Sequence, residues 1–132
     1  MSCKSALYMA NTQTQVLAVD SVISFGTIIR RFGQNINGSA TNVEITGQGY
    51  YDVDANFSIL GTGTGTATIT LYKDGVAIPG ASASITTADT VRNQVSIPCI
   101  IREKCCCAST ITAVLSGTGT TITNAAIVVE KV

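Results

Sequence analysis

The chain has 132 residues and a mass of 13.6 kDa, the size of one domain, with 45% hydrophobic residues and 12% charged ones. Eight basic residues balance eight acidic ones, and there is neither histidine nor tryptophan. A Ser-His-Asp or Cys-His catalytic pair, a histidine zinc site and a basic field for nucleic acid or anionic lipid are therefore excluded within one chain.

The first ten residues lack the long apolar centre of a secretory signal, and no apolar run approaches the ~18 residues that span a bilayer. Residues 1–14, MSCKSALYMANTQT, are polar and without a clear period, and read as an extended arm. The remainder, 15–132, reads as a single all-β domain, because Thr and Val are frequent and glycine interrupts the chain at short intervals.

In chain order, residues 15–19 and 22–32 read as strands, and 34–42, rich in Asn, Gly and Ser, reads as a loop. A short strand at Val43–Ile45 stops at Gly47-Gln-Gly49. The strongest signal follows, where Tyr51, Val53, Ala55, Phe57 and Ile59 alternate with Tyr50, Asp52, Asp54, Asn56 and Ser58. Period two over ten residues predicts a strand with one apolar face. Gly61-Thr-Gly-Thr-Gly65 forms a flexible connection to a strand at 66–72, and Asp74-Gly75 marks a tight hairpin. Ile78-Pro-Gly80 reads as a second turn. Further alternating strands are predicted at 81–86, 91–97 and 110–115, with Ile97-Pro98 at a sheet edge or bend. The nearly continuous apolar run Ala125 to Val129 predicts a last strand buried on both faces. About eight to ten antiparallel strands at this spacing make a sandwich or barrel, and without the Cys…Trp…Cys signature of an immunoglobulin domain the expectation is a jelly roll.

Few residues suggest chemistry. The GTGTGT stretch lacks both the lysine of a phosphate loop and a following helix. Asp52, Asp54 and Asn56 imitate the start of a calcium loop, but Phe57 stands where glycine is required, and the twelfth position is Gly63. On a strand the three share one face and form a polar row. Two carboxylates on one face also fit the glycosidase template, which needs aromatic sugar platforms that a chain with 5% aromatics does not supply. Glu44, Asp89 and Glu103 are scattered acids, and Arg102-Glu-Lys104 reads as a solvated stretch. The cysteines at 3, 99, 105, 106 and 107 are a poor disulfide framework and read as buried free thiols made in a reducing compartment, with a metal or an intersubunit disulfide as the alternatives.

Several strings, in order, resemble the TNF-like and complement globular-head jelly rolls. Gly49-Tyr-Tyr-Asp-Val53 is similar to the third-strand signature, Thr68-Ile-Thr-Leu-Tyr-Lys-Asp-Gly75 to the hairpin, Ile78-Pro-Gly80 to the next turn and Thr123 to Val129 to the last strand. Within that superfamily the pieces Ile29-Arg-Arg-Phe-Gly33, Gly49 to Ala55, Thr70 to Gly75, Cys105 to Cys107 and Val128-Val-Glu-Lys131 look closest to small bacteriophage head-fibre or capsid-decoration proteins and to spore-surface glycoprotein domains. The resemblance implies a non-enzymatic homotrimer on a virion surface, made in the host cytoplasm and bound to the major capsid protein, with no cofactor, nucleic acid or membrane. The alternative it implies is a carbohydrate- or receptor-binding tip on a tail fibre or spore surface, recognising a host glycan. No fibrous stalk accompanies the domain, which favours a compact decoration. The resemblance puts Tyr50, Asp52, Asp54 and Asn56 at the trimer interface, and leaves Cys3, Lys4, Leu7 and Tyr8 of the arm as the capsid anchor. Low charge points the same way, since a neutral surface is one that meets partners.

Overall fold

The computed structural model describes residues 4–16, 21–104, 107–117 and 120–132. Its strands are β1 (Ala6–Asn11), β2 (Gln15–Val16), β3 (Ser21–Val22), β4 (Thr27–Phe32), β5 (Ile36–Ser39), β6 (Asn42–Ile45), β7 (Gly49–Gly61), β8 (Gly65–Lys73), β9 (Val76–Thr87), β10 (Arg92–Glu103), β11 (Ser109–Gly117) and β12 (Thr120–Lys131). They form two antiparallel sheets packed as a sandwich. One has the order β10-β7-β12-β1-β4, with β2 beside β12; the other has the order β5-β6-β11-β8-β9, with β3 beside β11.

The alternation in β7 sets the core. Tyr51, Val53, Ala55, Phe57 and Ile59 are each no more than 1% exposed and face the second sheet, where Ala67, Ile69 and Leu71 of β8 and Ile111, Ala113 and Leu115 of β11 point back at them. The Phe25 and Phe57 rings meet with centroids 6.0 Å apart.

The Asp74-Gly75 expectation is met in detail. Both residues lie in the left-handed region, at φ 53° and 80°, as a two-residue hairpin requires, and Lys73 pairs with Val76 across the turn. The Asp74 carboxylate accepts from the Thr110 amide at 2.9 Å, which ties the turn to β11.

Four other expectations change. The arm of residues 1–14 is not outside the sandwich: β1 is an interior strand between β12 and β4, with Leu7 and Met9 buried in the core. The loop expected at 34–42 is instead the β5–β6 hairpin, whose Ile36 is fully buried. Ile78-Pro-Gly80 is no turn but a bulge within β9: Ala77 pairs with Tyr72 and Ser82 with Thr70, so residues 78–81 bow out against Leu71. The strand expected at 22–32 divides into β3 and β4, with Ile23 and Phe25 dipping into the core between them. Pro98 sits on β10, the edge of its sheet, where its missing donor costs no ladder bond on the outer side.

The last strand also departs from expectation. In β12, Ala125, Ile127 and Val129 are buried, but Val128 on the opposite face is 36% exposed. The apolar run is thus covered on one side only.

Candidate oligomerisation face

Side chains alternate along each strand, so the face of the first sheet turned away from the core can be read from the pairing register. One row across it is Ile100, Asp52, Glu130, Ala6 and Phe32; the next is Pro98, Asp54, Val128, Tyr8 and Arg30; a third is Ser96, Asn56, Ala126, Ala10 and Thr27. Tyr50 lies beyond the first row, beside Arg102. Tyr50, Ile100 and Phe32 are each more than half exposed, and Tyr8 and Val128 are exposed beside them. Large apolar groups gathered on one sheet face are the signature of a surface that meets a partner.

All four residues expected at an interface, Tyr50, Asp52, Asp54 and Asn56, lie on this face, with the two aspartates half-buried. The expected anchor residues do not stay together. Leu7 is 1% exposed and points into the core, so it cannot touch a partner, while Tyr8 turns the other way, onto the sheet face. Lys4 is exposed, and Cys3 lies outside the described residues. Ile100, Val128 and Arg30 belong to the face although the sequence did not assign them to it, and Tyr8, expected in the anchor, joins them there. Their signal was present as the outward parity of strands whose inward residues are apolar.

The face is charged unevenly. Asp52 stands directly opposite Glu130, with Asp54 two residues along, an arrangement of like charges that disfavours pairing. None of these carboxylates has an ion-pair partner among the described residues. Their field reaches through the adjacent strand: the half-buried Cys99 thiol is pushed above its ordinary value by burial first, then by Asp52 and Asp54. The free thiols divide, with Cys99 half-buried against the core and Cys107 exposed, contrary to a uniformly buried set. Cys105 and Cys106 lie outside the described residues. No group of His, Cys, Asp and Glu able to hold a metal occurs among the described residues.

A second polar feature lies at the end of the sandwich. Glu103 does not belong to a solvated stretch, because it continues the inward parity of Val95, Ile97 and Ile101 on β10. It is 2% exposed, and its Oε2 has no hydrogen-bond partner. Beside it the Tyr51 hydroxyl donates to the Gly47 carbonyl at 2.6 Å. Burial, and then the Glu103 charge, push the Tyr51 phenol above its ordinary value of 10.0, while the bond to Gly47 works in the other direction. A phenol held protonated in the folded state favours folding up to about pH 10, and that contribution is lost as pH rises through the folded value. Glu103→Gln is therefore expected to lower the Tyr51 pKa and to shrink the alkaline loss of stability that Tyr51 causes, because the folded value moves back toward the unfolded one. An NMR titration of ring-labelled tyrosine reads the shift; an unmoved Tyr51 would show that the carboxylate does not act on it.

A shallow cleft of about 360 Å³ opens beside the β9 bulge, walled by Val76, Ile78, Pro79 and Ile101 with Lys73 and Arg102 at its rim. The Lys73 ammonium is turned to the Arg102 carbonyl at 3.0 Å. Among the described residues no carboxylate lines the cleft.

Among the described residues no helix is long and apolar enough to cross a membrane. No protein-family model and no curated protein sequence matches the chain. Solved structures do. Murine APRIL superposes with a TM-score of 0.71 at 11% identity, over 98% of this chain and 99% of its own. The PRD1 vertex protein P5 gives 0.66 at 12%, over 100% and 99%. The globular domain of zebrafish complement 1qA gives 0.66 at 11%, over 95% and 94%. At such identities the likeness speaks for the fold, and the fold of this chain is the TNF-like jelly roll.

Proposed function

We propose that the chain is a non-enzymatic structural protein, a homotrimeric jelly-roll module on the surface of a tailed-phage head, where it binds the major capsid protein. The observation that carries the reading is the outward face of the β10-β7-β12-β1-β4 sheet. Tyr8, Phe32, Tyr50, Ile100 and Val128 leave it too apolar to remain uncovered, and a cyclic assembly covers it without leaving an open edge. The full-length likeness to a vertex protein supports the virion setting. Tyr50, Asp52, Asp54 and Asn56 then line the contact between copies. Tyr8 joins them there, so attachment to the capsid falls to Lys4, Cys3 and the loops at the ends of the sandwich.

Light scattering is expected to give the mass of three chains. Capsids lacking the protein are expected to take it up at symmetry-related positions in fixed stoichiometry. A mass of one chain would remove the trimer. Binding to a glycan array without binding to capsids would replace the decoration role by that of a carbohydrate-binding tip.

A further inference from the structure

We propose that copies of this chain join head to tail through a charge asymmetry on the sheet face, with Arg30 of one copy seated against Asp52 and Asp54 of the next. The inference rests on the trimeric reading and adds what orients the contact. Along the row Pro98, Asp54, Val128, Tyr8 and Arg30, the aspartate and the arginine are three strands apart, roughly 14 Å, beyond reach of an ion pair within the chain. Asp52, Asp54 and Glu130 therefore form an acidic group on the neighbouring strands β7 and β12, where they repel one another; Arg102 and Arg92 of β10 face the same way but lie in the rows of Tyr50 and Leu60, outside that group, while Arg30 stands at the opposite edge on β4.

The neighbouring Arg31 is not available for the same purpose. Its Nε already donates to the Ile36 carbonyl at 2.8 Å, which closes the edge of the sandwich between the two sheets. Arg30 has no ion-pair partner among the described residues and emerges beside Tyr8. A heterologous contact lays the β1–β4 half of one copy over the β7–β10 half of its neighbour. That arrangement brings Arg30 to the acidic group and sets Tyr8 and Phe32 against Pro98 and Ile100. The apolar groups exclude water, and in that setting the charges choose the partner half: basic on basic and acidic on acidic are both rejected.

The test uses the full chain in three forms: Arg30→Glu, the double variant Asp52→Arg with Asp54→Arg, and the chain carrying all three changes. Sedimentation is expected to show the first two associating roughly a hundredfold more weakly than the wild type, since each puts like charge against like. The third, with both signs exchanged in one chain, regains the wild-type mass. Mixing the first two does not restore a three-membered ring, because an odd ring always retains one like-charged contact. If either charge-reversed form assembles as well as the wild type, or the third form stays dissociated, the pairing is overturned while the trimer stands. A monomeric wild type overturns the trimer itself. Should a reversal fail to fold by circular dichroism, Arg30→Gln and Asp54→Asn decide the matter, each expected to weaken association about tenfold and overturning the pairing if it does not.

Discussion

Deletion of residues 1–11 is expected to abolish the fold. In the sandwich β1 lies between β12 and β4, and its backbone groups are satisfied on both sides. Without it, β12 acquires a raw edge and β4 has no sheet to join. The core loses Leu7 and Met9, each 1% exposed, and truncation of such a side chain costs about 2–5 kcal/mol before any backbone bond is counted. The sum reaches the ~5–15 kcal/mol that holds a domain of this kind together. Circular dichroism of the truncated chain should show no cooperative melt. A transition within a few degrees of the full-length protein would mean that β1 is dispensable and that the segment is an appendage after all. The result also governs how the proposed attachment is tested: a truncation that fails to bind capsids reports unfolding, so the proposed capsid contact has to be probed by point changes at exposed positions such as Lys4.

Why β1 escaped the sequence reading is a physical matter. In β7 the inward Tyr51, Val53, Ala55, Phe57 and Ile59 contrast with outward Asp52, Asp54, Asn56 and Ser58, and period two is plain. In β1 the inward Leu7 and Met9 alternate with Ala6, Tyr8 and Ala10, which are themselves apolar or weakly polar, so the period vanishes. The same holds for β12, where Ala126 and Val128 face outward between buried Ala125, Ile127 and Val129 and made the strand look buried on both sides. Both failures occur on the sheet face that the assembly reading covers. A strand whose outward side chains are Ala, Tyr and Val carries no polar stripe, and a search for period two has nothing to detect in it. The β5–β6 hairpin failed for the opposite reason, because among residues 34–42 only Ile36 is a large apolar residue and turn-forming Asn, Gly and Ser surround it. Glu103 was readable, had the parity of Val95, Ile97 and Ile101 been carried two residues further. The turn at Asp74-Gly75 was legible because its chemistry is local and needs no knowledge of the rest of the chain.

Phe57→Ala is expected to cost about 3–5 kcal/mol and to lower the melting temperature by roughly 10–20 °C. The ring lies at the middle of β7, flanked in the ladder by Val95 on one side and Ala125 on the other, and faces Phe25 across the core. Ala125 and the nearby Ala55 are small, so the aromatic ring fills volume that neither neighbour can reach. Backbone hydrogen bonding on both sides of β7 keeps the strand from closing over the void, and the cavity term is felt almost in full. A drop of only a degree or two would show that the Phe25–Phe57 contact is not central to the core. Asn56, one residue earlier, points to the other face, and its replacement by alanine should leave the stability of a single chain within about 0.5 kcal/mol. The two substitutions also differ in their dependence on concentration. Loss at Phe57 lowers the melt of a dilute and a concentrated sample alike, whereas, on the trimeric reading proposed above, an Asn56 effect grows with protein concentration, because only the associated state would contain the contact it alters. One step along β7 thus separates the side chains that make the domain from those on the face proposed to join it to its neighbours.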